Sequence, residues 1–332
     1  MKKILIAHDF NLNLFMYKLP NILIERTKTI LDYNVKFIDI GKIEKVDISK
    51  INIFWGNRIN FKQIKKLKNL KWVHLGSSGF NEKILEKLKQ KKIVVTNSKG
   101  IFDKSVAQTI MAYIFCLSRG LDISINIKNK KRFSRKEFEN YSSRLFDVTK
   151  KKILICGYGS IAKKLVLYLK PFNREISILT RNTKVKKPEY IKKKYSLKSI
   201  KVALNNNNLI INLLPINQQT KNYFNQKKFN FFQKGTVFVN AGRGDTVNTR
   251  DLISAIKQKK IAIYATDVYP STDYISPYFP VGQKSNLLKS NSVLASPHIA
   301  NYDLDYWKHQ IKLFKYNLNI YVKNKKKFKN NL

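Results

Sequence analysis

Along the first hundred positions, short apolar runs alternate with lysine-rich stretches of helical spacing. The runs KKILIA (2–7), NVKFIDI (34–40), INIFWG (51–56), LKWVHLG (70–76) and KKIVVTN (91–97) have strand length and strand composition. Between them, 60–70 and 82–90 carry an amphipathic helical pattern. Strand followed by helix followed by strand implies a parallel sheet with helices on its faces. The alternation stops near residue 100 and resumes near 151. Its second set of strands is KKILICG (151–157), EISILT (175–180), NLIINLLP (208–215), GTVFVNAG (235–242), IAIYATDVY (261–269) and SVLASPH (292–298).

Between the two sets, Val106, Ile110, Ile114 and Leu117 fall at helical spacing. They predict a buried helix over 104–119 that crosses from one domain to the next. Residues 122–150 are polar and irregular, and no element is predicted there. The run KNKKKFKNN (323–331) reads as a frayed, solvated tail. With 332 residues the chain suits two domains. It shows no internal repeat and no low-complexity linker.

The first chemistry lies where the second alternation starts. Gly157, Gly159 and Ala162 fit G-x-G-x-x-G/A, with the strand KKILIC before them and the helical SIAKKLVLYLK after them. Gly157 permits the tight turn, Gly159 lets the backbone approach a pyrophosphate, and Ala162 lets helix and strand pack closely. The helix start then offers unpaired N–H groups and a positive dipole end to the anion. The plainer reading is a glycine turn without a ligand; the strand–turn–helix context favours a dinucleotide. An acid near the end of the next strand would accept from the ribose 2′-hydroxyl of NAD(H). Here that strand runs into ISILTRNTKVKKP (176–188), which contains no Asp or Glu. Thr180 and Arg181 at its tip suit a 2′-phosphate, so NADP(H) is expected over NAD(H). The plainer reading of Arg181 is one more cation on a basic surface.

That surface is extreme, with a formal net charge of +44. Such a charge raises nucleic acid or an anionic membrane as a partner. The cations, however, are mostly Lys and spread over the whole chain, and they accompany many Asn, Ile, Tyr and Phe. Each of these residues has a codon built only of A and T, so compositional drift accounts for the charge and nucleic-acid binding is not expected. No apolar stretch approaches the ~18 residues of a membrane span. His8 and Asp9 end the first apolar run too early for a signal peptide. The two cysteines, Cys116 and Cys156, form no framework, which suggests a reducing cytoplasm. No metal site is expected.

Three polar residues stand at the ends of later strands: Arg243 after VFVNAG, Asp267 in ATDVY, and His298 in LASPHIAN. Strand ends of this kind face the ligand crevice of open α/β sheets. His is the natural proton donor for a carbonyl that accepts hydride. Arg243 suits a carboxylate and its adjacent carbonyl, and Asp267 suits a nicotinamide amide. Each has a plainer role: a structural His, a salt-bridge Arg, a loop-capping Asp.

Together these blocks resemble the D-isomer-specific 2-hydroxyacid dehydrogenases. SVAQTIMAYIFCLSR (105–119) is similar to that family's interdomain helix, ICGYGSIA (155–162) to its cofactor loop, and NLLPINQQTKNYF (212–224) to its L-P-x-x-x-x-T segment. VNAGRGDTVNTRDLISAIKQKKIAIYATDV (239–268) and SPHIA (296–300) are similar to its signature blocks. The resemblance implies two doubly wound parallel-sheet α/β domains. One is a flavodoxin-like substrate domain made of 1–100 with 300–332; the other is a Rossmann dinucleotide-binding domain over 101–299. It implies a homodimer and a small 2-keto or 2-hydroxy acid as substrate. It gives Arg243 the substrate carboxylate and carbonyl, His298 the acid/base role, and Ser78 and Gly79 of LGSSGF the carboxylate through their amides. It gives Ser160 and Ile161 the pyrophosphate, Pro215 and Ala241 other parts of the cofactor, and Asp267 the carboxamide.

One departure bears on the chemistry. The family Glu that orients the His falls at Thr272, and Asp273 follows it; Asp273 is the expected substitute. Trp307 reads as helix packing or as pocket lining. Loss of the Glu also leaves open a dinucleotide-sensing binding protein on the same scaffold, as in the C-terminal binding proteins.

Overall fold

The computed structural model describes residues 2–21, 29–30, 33–41, 47–182, 184, 186–276, 278–282, 285–325 and 327–332. The chain divides into two compact units, Met1–Phe102 with Tyr302–Leu332, and Asp103–Asn301. Each unit is built on a mainly parallel sheet, the architecture expected from the alternating pattern.

In the first unit the strands are β1 (Lys2–His8), β2 (Thr29–Ile30), β3 (Tyr33–Asp39), β4 (Ile51–Gly56), β5 (Trp72–Leu75) and β6 (Val94–Asn97). They lie in the order β2-β3-β1-β4-β5-β6. All neighbours are parallel except the short edge strand β2, which runs antiparallel to β3. Without β2 this is the flavodoxin-like order.

The last helix, Tyr306–Val322, belongs to this unit because its aromatic residues complete the core. Phe314 stacks on Trp55 at 4.1 Å and on Trp72 at 5.2 Å. Trp307 packs edge-on to Phe10 and donates Nε1–H to Phe15 O at 2.7 Å, so it is a packing residue. The terminal run does not fray as expected. The Leu332 amide donates to Val95 O at 2.9 Å, and Asn331 bridges antiparallel to Thr96. The exposed edge of β6 offers unpaired backbone groups that this segment satisfies. Within the run, position 326 lies outside the described residues.

His74 of β5 is completely buried. Thr96 Oγ1 accepts from Trp72 Nε1 at 2.9 Å and is hydrogen-bonded with His74 Nδ1 at 2.7 Å. Burial pushes its pKa down to about 3 from an ordinary 6.5, so the imidazole is neutral. The unfolded chain takes up this proton before the folded one does. Stability is thus retained above pH 6.5 and lost as pH falls from 6.5 towards 3, by on the order of 5 kcal/mol in full. His74→Leu is expected to flatten the acid limb of the thermal midpoint plotted against pH. An unchanged limb would assign the acid sensitivity elsewhere.

In the second unit the strands are β7 (Ile153–Cys156), β8 (Ile176–Leu179), β9 (Lys193–Tyr195), β10 (Leu209–Asn212), β11 (Thr236–Asn240), β12 (Ile261–Thr266) and β13 (Val293–Ala295). Their order is β13-β12-β11-β10-β7-β8-β9, with every pair parallel. This is the Rossmann order with one added strand, and its topological switch point lies between β7 and β10. The central strands β7, β10 and β11 are buried throughout, which is why they read as continuous apolar runs. The short edge strand β9 carries two lysines and left no such trace.

The helix expected over 104–119 is Asp103–Ser118, and it packs on the helix Ser160–Leu169. The segment 122–150 contains the helices Leu121–Asn129 and Arg135–Glu139, with Asp122 and Arg144 paired at 2.8 Å. Only Ile123 and Ile127 of the first of these are buried, too few to mark a helix in the sequence. Among the described residues, no single helix is long and apolar enough to cross a membrane.

Candidate active site

The glycine loop sits at the switch point. Gly157 has φ +98°, and a Cβ there would stand 3.0 Å from Leu213 O. It is glycine for both reasons. Gly159 caps the helix Ser160–Leu169 without a side-chain bond, and a Cβ built on it meets nothing within 4 Å. The space in front of the helix start is therefore open. The Ser160 and Ile161 amides, at the first two helical positions, have no acceptor among the described residues. Ser160 Oγ donates to Asp103 Oδ1 at 2.9 Å, so what Ser160 offers an anion is its amide. Buried Ala162 brings the helix down onto the sheet. This donor set fits a dinucleotide pyrophosphate.

At the tip of β8, Thr180 Oγ1 accepts the Asn182 amide at 3.2 Å. Arg181 is exposed, and its Nη1 donates to Gln219 Oε1 at 3.3 Å. Among the described residues Arg181 has no carboxylate partner. Pro215 follows β10 and is exposed; its carbonyl accepts from Thr220 Oγ1 at 2.6 Å. The buried Ala241 follows β11, its amide donating to Asn212 O at 3.1 Å.

Two residues that sequence reasoning passed over hold these loops. Asn212 and Asn240 end adjacent strands and are completely buried. Asn212 Nδ2 donates to Asn240 Oδ1 at 2.9 Å and to Thr246 Oγ1 at 2.7 Å. Their carbonyl oxygens accept the amides of Leu214 at 3.1 Å and Gly242 at 3.2 Å. The available signal was an amide side chain closing each apolar run, LIIN and TVFVN.

Arg243 follows from this scaffold. Gly242 and Gly244 on either side lie against backbone: a Cβ would stand 2.7 Å from Leu214 O at Gly242 and 1.9 Å from Tyr269 C at Gly244. Arg243 Nη1 donates to Gly242 O at 2.7 Å. Among the described residues its guanidinium has no carboxylate partner, and desolvation by burial works against its charge. A desolvated cation without a counter-ion is a site prepared for an anion.

His298 has φ +59°, in the left-handed region. Asp267 holds its loop: Oδ1 accepts from Ser296 Oγ at 2.5 Å and the Ile299 amide at 2.8 Å, and Oδ2 from the Ala300 amide at 2.9 Å. Tyr269 donates to Ser296 O at 2.7 Å, and the Tyr113 hydroxyl meets Ser296 Oγ. The His298 pKa is lowered, by desolvation first; Asp267 opposes the shift and Arg243 adds to it. Burial raises the Asp267 pKa against these hydrogen bonds. Asp267 and Arg243 thus both act on His298, the three standing at the tips of successive strands.

Asp273, the expected partner of His298, makes no bond to it among the described residues. It accepts from Thr272 Oγ1 at 3.1 Å, and the carboxylate whose charge acts on His298 is Asp267. The physical reason is an anchor before it: Asp245 Oδ1 takes the Ser271 amide and hydroxyl at 3.0 and 3.1 Å and fixes the course of the loop. Ser78 and Gly79 belong to the first unit, in the loop after β5. Their amides, with that of Ser77, have no acceptor among the described residues.

Over residues 111–300 the chain matches the family model for the NAD-binding domain of D-isomer-specific 2-hydroxyacid dehydrogenases. It is 26% identical over 246 residues to a probable 2-ketogluconate reductase of Dictyostelium discoideum, spanning 73% of this chain and 70% of that protein. It is 24% identical over 264 residues to glyoxylate/hydroxypyruvate reductase B of Escherichia fergusonii, spanning 79% and 74%. The crystal structure of an NADPH-dependent glyoxylate/hydroxypyruvate reductase from Sinorhizobium meliloti in complex with citrate is similar with a TM-score of 0.78. The identity is 16%, and the match covers 100% of this chain and 98% of that one.

Proposed function

We propose, from the premise that this chain belongs to the D-isomer-specific 2-hydroxyacid dehydrogenases, oxidoreductases that transfer hydride between NAD(P)H and 2-keto or 2-hydroxy acids, that it reduces a small 2-keto acid with NADPH. The observation that carries this reading is the desolvated Arg243 guanidinium without a counter-ion, in the same field as His298. When bound, the dinucleotide supplies hydride to the keto carbon. Arg243 pairs with the anionic end of the substrate and polarises its carbonyl. An imidazolium N–H of His298 gives its proton to the carbonyl oxygen, so the product is the 2-hydroxy acid. Asp267 holds the loop that carries His298, and its remaining Oδ2 lone pair is free for a carboxamide N–H. In the first unit, the Ser78 and Gly79 amides receive the substrate carboxylate.

The pyrophosphate falls to Gly157, Gly159, Ser160 and Ile161, with Pro215 and Ala241 along the cofactor. Thr180 and Arg181 meet a 2′-phosphate. The acid-free tip of β8 supports NADPH, as does the NADPH dependence of the similar Sinorhizobium enzyme. Purified protein with NADPH or NADH and a panel of glyoxylate, hydroxypyruvate, pyruvate and sugar-derived 2-keto acids, followed by absorbance, tests the reading. Arg181→Ala should weaken NADPH by about 10- to 100-fold, the worth of one charge-assisted contact, and leave NADH unchanged. Faster turnover with NADH by the unsubstituted enzyme would overturn the cofactor assignment. Tight cofactor binding without turnover on any acid would favour the sensing protein that Thr272 leaves open.

Both cysteines are free thiols, in keeping with a cytoplasmic protein. The exposed Leu121, Ile125 and Phe133 supply an apolar face for the homodimer we assign. Sedimentation equilibrium should give twice the chain mass of 38.8 kDa, and Ile125→Asp should shift it towards the monomer.

A further inference from the structure

The loop Leu75–Gly79 has every carbonyl oxygen occupied. Leu75 O accepts from Ser98 Oγ at 2.9 Å, Gly76 O from Gln310 Nε2, and Ser77 O from the Ser98 amide at 3.1 Å. Ser78 O accepts from Asn97 Nδ2 at 2.8 Å and Gly79 O from Ser77 Oγ at 2.8 Å. On the amide side Leu75 belongs to the β5 ladder and Gly76 donates to Gly56 O at 3.2 Å. The amides of Ser77, Ser78 and Gly79 have no acceptor among the described residues. In a trans peptide the carbonyl and the N–H point opposite ways. Fixing these carbonyls inward therefore turns successive N–H groups the other way, as in an anion-binding nest.

The inward donors come from distant parts of the chain. Asn97 ends β6 and Ser98 follows it. Gln310 lies on the helix Tyr306–Val322 and is completely buried, its Oε1 accepting from Ser98 Oγ at 2.8 Å. Asn330 braces the first group, donating to Asn97 O at 3.0 Å and Lys99 O at 2.7 Å.

We propose that Asn97 and Gln310 are positioning residues for the substrate carboxylate: they hold the carbonyls of Ser78 and Gly76 and so aim the Gly79 and Ser77 amides, on either side of the Ser78 amide, before the anion arrives. The proposal rests on the reading of this loop as the carboxylate receptor. Donors fixed in advance need no reordering on binding, and the gain appears as affinity.

Asn97→Asp keeps the side-chain shape, removes the donor to Ser78 O and sets an oxygen against it. Gln310→Glu does the same at Gly76 O, and it serves if the first variant fails to fold. In the full chain with NADPH bound, the expected result is a rise of about tenfold in the KM of the keto acid and in the Kd of oxamate, an unreactive carboxylate. kcat and the KM of NADPH should stay within about twofold, a split that general loosening of the fold would not produce. Amide NMR separates the two ways of failing. Oxamate should shift the Ser77, Ser78 and Gly79 amides of the unsubstituted protein. If they shift and Asn97→Asp or Gln310→Glu binds oxamate normally, the positioning role is overturned. If they do not shift, the receptor reading falls and the proposal with it.

Discussion

Replacing His298 by Asn is expected to lower kcat/KM for keto-acid reduction by about 100- to 10,000-fold, the usual worth of a positioned general acid. The Kd of NADPH should stay within about twofold, because the pyrophosphate and 2′-phosphate ends of the proposed cofactor site do not involve this loop. The pH dependence follows from the direction of the His298 shift. Although the residue is exposed, desolvation by the surrounding protein, with Arg243, lowers its pKa from 6.5, and Asp267 opposes the shift. Reduction needs the protonated imidazole, so kcat/KM should be highest at low pH and fall as pH rises through a value below 6.5. Oxidation of the 2-hydroxy acid needs the neutral form and should rise over the same range. In His298→Asn both limbs should vanish. Limbs that persist in the variant would assign the titration, and the proton, to another group.

Gly244→Ala should cost the fold roughly 3 kcal/mol or more, at or beyond the upper end of ordinary overpacking. A Cβ there stands 1.9 Å from Tyr269 C, 2.0 Å from Tyr269 O and 2.4 Å from Pro270 N, all backbone atoms with no side chain to swing aside. Either the Arg243 loop or the 269–270 segment has to move. Both are anchored, the first through Thr246 Oγ1, which donates to Arg243 O at 2.6 Å, and the second through Asp245 and Ser271. Gly159→Ala is the contrast. A Cβ there meets nothing within 4 Å and φ is −87°, so the thermal midpoint should hold while NADPH binding weakens. Calorimetric melting with cofactor titration checks both. Equal midpoints for the two variants would show that the loop after β11 yields more easily than its backbone contacts imply.

The amino-acid sequence by itself determined the two parallel-sheet domains and marked the strand–glycine turn–helix that we assign to the cofactor. Both are local properties. A buried parallel strand is a short apolar run, and a dinucleotide turn is two glycines and a small residue between a strand and a helix. The strand tips were legible for the same reason: Arg243, Asp267 and His298 stand where an apolar run ends.

What the tertiary structure decided were the partnerships. Asp267 takes its three donors from residues 296, 299 and 300, brought beside it by the pairing of β12 with β13. Asp273, nearer to Asp267 in sequence, is drawn to its own neighbour because Ser271 is tied to Asp245. The end of the terminal lysine-rich run is held in place, with Asn331 in a single antiparallel bridge to Thr96, only because β6 leaves its edge open. Gln310 reaches Gly76 across 234 positions of sequence. A side chain's residue type states what it can donate or accept; which partner it meets depends on strand register and helix packing, and neither is written in any short stretch of the chain.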